Sequence, residues 1–301
     1  MAKSENFLKD KHIAVTKGKG FKLKSFDTGY TASYKNEKSA EKKLKADIEK
    51  LSDLQEKLYA SDKHGILIIF QAMDAAGKDS TIEHVLSGVN PQGCNVTSFK
   101  RPTDKELSHD FLWRTTFELP ERGMMGIFNR SYYEEVLVTK VHPEIILGQN
   151  IPGVTKLKHI DTAFWEKRYQ SIRHYEKHLS ENGYIILKFF LNVSPEVQKN
   201  RFIERVNNPA KNWKFQLGDL KERAHWDDYM AAYEKMIKET AFPHAPWFII
   251  PADNKWFMQA AVCDIILNTL EKLNLNFPEL SGTAQSELEE ARNLLNNPDF
   301  K

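Results

Sequence analysis

The chain has 301 residues, 28 % of them charged and 41 % hydrophobic, a profile that fits a globular protein long enough to bury a sizeable core. Its formal net charge of only +2 excludes a whole-molecule attraction to nucleic acid or to an anionic membrane. No apolar run approaches the ~20 residues of a membrane helix, and the segment behind Lys3 and Lys9 lacks the apolar stretch of a secretory signal, so a cytoplasmic protein is expected.

Residues 1–35 alternate Lys with Gly, Ser and Thr and show no periodicity. They read as an arm that is extended, or ordered only on docking. Leu44, Ile48, Leu51, Leu54 and Leu58 then recur at helical spacing among Lys and Glu, which predicts an amphipathic helix over residues 37–60. After the break at His64 and Gly65, the run Ile66-Leu67-Ile68-Ile69-Phe70 suits a strand buried on both faces of a parallel sheet. Similar short runs recur at residues 95–99, 126–128, 184–191 and 247–250. Helical patterns separate them at 104–117, 131–141, 161–180, 195–206, 220–240 and 256–273. Strands alternating with helices predict an α/β fold with a parallel sheet between helical layers. The simplest organisation is one catalytic domain over 61–275, preceded by the arm and helix of 1–60. The tail of 276–301 follows, with a final helix at 284–295 that docks on the body. Cys94 and Cys263 lie far apart in apolar runs and read as small core side chains.

The stretch Gln71-Ala72-Met73-Asp74-Ala75-Ala76-Gly77-Lys78-Asp79-Ser80-Thr81 follows the first buried strand and opens a helix. That is the context a phosphate-binding loop needs. Small residues let the N–H groups of Ala75, Ala76, Gly77, Asp79 and Ser80 approach phosphate oxygens. The helix points its positive end at them, and Lys78 adds a mobile charge. Against the pattern G-x-x-x-x-G-K-[ST], Ala72 replaces the first Gly, and Asp79 replaces the hydroxyl that holds Mg²⁺. Asp74 is then the natural oxygen ligand for the metal. The alternative is a tight strand-to-helix turn with Gly77 chosen for its backbone alone.

Asn129 and Arg130 fall at the carboxyl end of another predicted strand, where ligands of open parallel sheets gather. Arg130 could clamp a phosphate or simply cap the strand. Lys100, Arg101 and Thr103 form a basic loop on the same sheet edge, suited to a nucleotide or a phosphate chain. A turn with Thr103 as helix N-cap fits equally. Arg201 and Arg205, four apart, share one helix face, and Lys211 to Lys214 follow the break at Asn208 and Pro209. This is how a mobile lid at about 200–225, with Lys214 among its charges, reads; a solvated basic face is the alternative.

Taken together, the stretches Ala72 to Ser80, Phe99 to Thr103 and Asn129-Arg130-Ser131-Tyr132-Tyr133 resemble the type-2 polyphosphate kinase family. So do Gln198-x-x-Arg201-x-x-x-Arg205, Asn208-Pro209-x-Lys211-x-Trp213-Lys214, Trp226-x-x-Tyr229 and Ala245-Pro246-Trp247. The resemblance covers roughly residues 60–270. It implies a three-layer, phosphate-loop-kinase-like fold with a central parallel sheet and a helical lid. It also implies dependence on Mg²⁺, with Mn²⁺ as a substitute, and assembly as a homodimer or homotetramer. Its substrates would be inorganic polyphosphate and AMP, ADP and ATP, with GMP and GDP as further candidates. Nucleic acid and membranes are not among the expected partners. By position, Asp74 resembles the carboxylate that organises the metal, Lys78 the loop lysine, Arg130 the phosphate-binding arginine and Arg201 and Arg205 the lid-side arginines. Many members carry Asp where this chain has Asn129, and Asn129 with its following residues resembles the subgroup, class III, that phosphorylates both AMP and ADP. Phosphoryl transfer asks mainly for alignment and charge neutralisation, and the acceptor phosphate is already anionic, so no strong general base is expected. The rival readings are an ATP-dependent nucleoside monophosphate kinase, against which Ala72 and Asp79 count, and a non-catalytic polyanion-binding protein.

Overall fold

The computed structural model describes residues 6–34, 36–298 and 300. The elements in order are β1 (Ala14–Val15), α1 (Glu37–Ser61), β2 (Gly65–Gln71), α2 (Lys78–Val85), β3 (Cys94–Ser98), α3 (Asp104–Leu107), α4 (Trp113–Thr116) and β4 (Met125–Asn129). There follow α5 (Val138–Val141), α6 (Glu144–Leu147), α7 (Thr162–Glu181), β5 (Tyr184–Asn192), α8 (Pro195–Asn207), α9 (Leu217–Arg223), α10 (Trp226–Thr240), β6 (Trp247–Pro251), α11 (Lys255–Glu271) and α12 (Thr283–Leu295).

The strands form one sheet in the order β1-β6-β5-β2-β4-β3. β2 lies at its centre, parallel to β4 and β5, and every one of its residues is buried. That burial on both faces is what its unbroken apolar run requires. From β2 the chain crosses outward through α2 to β3, and from β4 it crosses the opposite way through α7 to β5. Right-handed crossovers in opposite directions place their helices on opposite faces. α1 and α2 accordingly both pack on α11, and α7 packs with α10. The registers Phe70 to Asn129 and Ser98 to Asn129 bring the carboxyl ends of three strands to one edge.

The sheet is mixed rather than wholly parallel, because the N-terminal arm supplies an antiparallel edge strand. β1 pairs Ala14 with Phe248 and Val15 with Trp247. Phe7 and Ile13 are buried, and Phe7 meets Phe257 edge-on at 5.7 Å. Absence of periodicity in this arm therefore reflects a segment shaped by the body it covers; its residues 1–5 and 35 lie outside the described set. The helix expected over 104–117 is instead two single turns, because the Asp110 carboxylate takes the Leu112 N–H at 2.9 Å and starts a new turn. Residues 131–141 open as a tighter 3₁₀ turn (Tyr132–Val136) before α5. Neighbouring residues of an α-helix do not share a face, yet Tyr132 and Tyr133 both reach Glu176. The helix expected over 220–240 breaks at Ala224 and His225 into α9 and α10. α12 forms where expected, but none of its residues is buried, so it does not dock on the body as expected.

At the α1–α11 contact, Lys43 pairs with both Asp47 and Asp264, and Asp264 also accepts the Phe7 N–H at 3.3 Å. Burial first, and Asp47 nearby, push the Asp264 carboxyl up from 3.8 to about 6, against the pull of Lys43. A carboxyl raised on folding contributes stability below its ordinary value and loses it as pH rises through the folded one. Asp264→Asn should therefore gain stability relative to the native chain as pH rises from about 4 to about 7, read from paired thermal melts. Ile13, whose carbonyl accepts the Ile249 N–H at 2.8 Å, should lose about 2–5 kcal/mol of stability as Ile13→Ala, measured by denaturant unfolding. A loss within error would show that the arm is not part of the core.

Candidate active site

The loop leaving β2 bends through two left-handed backbone positions, Ala75 (φ 60°) and Gly77 (φ 111°). The φ of Gly77 is one that other residues rarely adopt, and a Cβ there would also stand 2.9 Å from the tip of the Met258 side chain, so glycine suits the turn. Lys78 opens α2 and folds back under the loop, donating to the carbonyls of Ala72 (2.9 Å) and Met73 (3.4 Å). Burial, and then the positive charge of Arg130, lower its pKa. Asp74, Glu134 and Asp79 act the other way, and an anion entering the loop would add to their effect and favour the charged ammonium.

α8 holds the loop from outside. Gln198 donates to the Asp74 carbonyl at 2.8 Å, and Arg223 of α9 bonds the same amide. Arg201 donates to the Ala76 carbonyl at 2.7 Å and to the Ala252 carbonyl at 2.6 Å, tying the loop to the end of β6. Arg205, one turn on, donates to Asp219 and to the Lys214 carbonyl, both at 3.3 Å. The Lys214 ammonium sits 5.0 Å from the Trp213 ring.

Arg130 follows β4 and also takes a left-handed backbone, φ 65°. Its guanidinium bonds Asp74 at 2.7 Å and Glu134 at 3.3 Å, and these carboxylates, Glu134 foremost, raise its pKa despite burial. Asn129 donates its amide to Asp79 at 2.7 Å. An Asp at 129 would set two carboxylates against each other there, which gives a local reason for the amide.

These residues line one open cavity of about 760 Å³ at the carboxyl ends of β2, β3 and β4. Its walls include Asp74, Ala75, Gly77, Lys78, Asp79, Ser80, Lys100, Arg101, Asn129, Arg130, Arg201, Arg205 and Lys214, and basic side chains well outnumber acidic ones. Two of the residues singled out in the sequence stand apart. Ala76 is fully buried beneath the loop, and Thr103 is the N-cap of α3, locked with Glu106 in a capping box. Asp219 and Lys255 also line the cavity without having been foreseen. Lys255 follows the last buried strand, so the strand-end rule could have found it. Asp219 carried no signal: burial and then the Asp74 charge raise its pKa, so it senses Asp74 across the cavity.

A second cavity of about 540 Å³ adjoins the same loop, with Pro102 in its wall where Lys100 and Arg101 face the first. Phe111 and Phe164 line it, and the Arg168 guanidinium lies 4.7 Å and 5.1 Å from their ring centres. Arg168 in turn bonds Glu135 at 2.8 Å.

Among the described residues no group of three or more His, Cys, Asp or Glu is arranged to cage a metal. A magnesium-like ion does not need such a cage, since it is commonly held by one or two carboxylates together with substrate phosphates. Asp74, with Asp219 near enough to feel its charge, fits that donor chemistry.

The sequence model of the polyphosphate kinase 2 (PPK2) family matches residues 34–278. An ADP-polyphosphate phosphotransferase of Rhodopseudomonas palustris is 48 % identical over 96 % of this chain and 99 % of its own length. An AMP/ADP-polyphosphate phosphotransferase of Meiothermus ruber is 43 % identical over 86 % of this chain and 92 % of its own. The crystal structure of polyphosphate kinase 2 from Arthrobacter aurescens superposes with a TM-score of 0.83 at 39 % identity, covering 93 % of this chain and 95 % of that one. The chain belongs to the polyphosphate kinase 2 family.

Proposed function

We infer that this protein moves the terminal phosphate of inorganic polyphosphate to AMP and to ADP, reversibly, as a cytoplasmic homo-oligomer dependent on Mg²⁺ or Mn²⁺. The observation that carries the reading is the phosphate loop opening into an open cavity of about 760 Å³ in which cationic side chains well outnumber carboxylates, rather than into a closed nucleotide pocket. A polyanion many phosphates long can meet Lys78, Arg130 and Arg205 at once, and each added contact neutralises charge that water would otherwise screen. Arg130 pairs with Asp74 at 2.7 Å, and Lys78 is close enough to feel the charges of both, so the two cations would share the charge of the transferred phosphate. Asp74 would hold the divalent ion, which would supply charge neutralisation to the phosphate oxygens. Arg201, whose donors are engaged by four backbone carbonyls, acts by holding the loop's shape more than by touching phosphate. Lys214 and Arg205 close over the chain from the α8–α9 side as the lid. Lys100, Arg101 and Asn129 bind the acceptor's phosphates, and its nucleoside lies beyond Pro102, in the cavity walled by Phe111 and Phe164. The names of the relatives support both acceptors.

The decisive experiment is ³¹P NMR of the purified protein with AMP, polyphosphate and Mg²⁺, in which ADP and then ATP signals should grow. ATP in place of polyphosphate as the donor to AMP should give far slower turnover; equal rates would point to an ordinary monophosphate kinase. Lys78→Ala should lower kcat by at least about a hundredfold, and near-normal turnover would sink the loop assignment. Phe111→Ala should raise KM for the nucleotide about tenfold while leaving KM for polyphosphate unchanged, measured by initial rates with each substrate varied. Equal shifts in both would remove the nucleoside from that cavity.

A further inference from the structure

Beneath the active site lies a charged network that the chemistry above does not use. Glu176 of α7 and Lys188 of β5 pair at 2.7 Å, with side chains 1 % and 0 % exposed. Lys188 also donates to the Tyr133 hydroxyl (3.0 Å) and the Thr240 carbonyl (2.7 Å). The other Glu176 oxygen accepts both phenols, Tyr132 at 2.9 Å and Tyr133 at 2.6 Å. Burial, and then the charge of Glu176, push both phenols well above their usual pKa, so they stay protonated as donors. A buried ion pair of this kind adds little stability, since well-packed apolar residues of the same volume hold a core as well or better. Its place in a sheet of Ile, Leu and Phe calls for another reason.

That reason lies two residues upstream of Tyr132. Arg130 takes a left-handed backbone that costs a non-glycine residue about 1–3 kcal/mol and persists only where its surroundings impose it. Three ties impose it here. The Arg130 N–H donates to the Phe70 carbonyl at 3.0 Å. Ser131 accepts from the Gln71 side chain (3.2 Å) and from the Tyr133 N–H (3.1 Å). The two phenols then bolt the following turn to Glu176. Together these bonds hold Arg130 where its guanidinium reaches Asp74.

We propose that Glu176 and Lys188 are positioning residues for phosphoryl transfer, holding Tyr132 and Tyr133 so that the strained backbone of Arg130 presents its guanidinium to the phosphate chain beside Asp74. This rests on the polyphosphate-transfer reading given above. It predicts that cutting the link between the pair and the turn harms catalysis through Arg130 rather than through folding.

The test is a double-mutant cycle. Tyr132→Phe with Tyr133→Phe leaves the ion pair in place and removes the bonds that join it to the two phenols, the one from Lys188 to Tyr133 included, so kcat/KM for polyphosphate should fall about tenfold or more with a folded, cooperative melt. In an Arg130→Lys background the same pair of substitutions should cost nothing further, because there is no fork left to position. Losses that multiply across the two backgrounds, or an unchanged kcat/KM in the native background, overturn the proposal. Should the double variant not fold, Tyr133→Phe alone runs the same cycle, and the same outcomes support or overturn it. A native protein that moves no phosphate from polyphosphate defeats the functional reading itself, whereas an active one with additive losses defeats only this inference.

Discussion

A loop built of small residues around a buried ammonium has few side chains with which to hold its own shape, and the few bonds within it, from Lys78 to the Ala72 and Met73 carbonyls and from the Ala76 N–H to Met73, leave the rest to its surroundings. Everything else at this site follows from how that loop is held. Ala75 and Gly77 take left-handed backbone, Lys78 is turned inward onto two loop carbonyls, and α8 spans the outside. Arg201 bridges the loop to the end of β6, and Gln198 fixes the carbonyl of Asp74. A guanidinium is suited to that task, with several donors in a rigid plane that can serve separate carbonyls at once. The helix that brings Arg201 and Arg205 to the cavity is thus also the brace of the loop.

The same economy governs the electrostatics. The whole chain is nearly neutral, yet the cavity at the strand ends is strongly basic. Its cations are kept apart by carboxylates placed among them, Asp74 and Glu134 on Arg130 and Asp219 on Arg205. Such pairs reduce the repulsion between neighbouring like charges in the cavity. Asp79 and Asn129 form a smaller version of the arrangement, in which an amide satisfies a carboxylate that a second carboxylate would repel.

Much of the fold was legible because its signals are local. The apolar run of β2, the Gly-Lys after it and the helical spacing of α1 each report a backbone conformation through neighbouring residues alone. Elements held by distant partners were read poorly. The arm packs Phe7 against Phe257 and pairs β1 with β6, contacts more than two hundred residues away in sequence, so it has no period of its own. The turn at Tyr132 and Tyr133 departs from the expected helix because Glu176 takes both phenols. At the site, Asp74, Lys78 and Arg130 stood out beside their strands. Asp219 did not, since its place in the cavity comes from the packing of α9 under Arg205.

The amino-acid sequence by itself determined the alternation of strands and helices, the phosphate loop with its lysine, and the motifs by which the family is recognised. These depend on hydrophobic period and residue spacing, which short-range physics sets. Only the tertiary structure decided which cations meet in one groove, and that Arg201 grips carbonyls. It alone tied the strained turn at Arg130 to a charge pair buried between α7 and β5. Side chains brought together by sheet order and helix packing are chosen by three-dimensional complementarity, and no spacing along the chain records that.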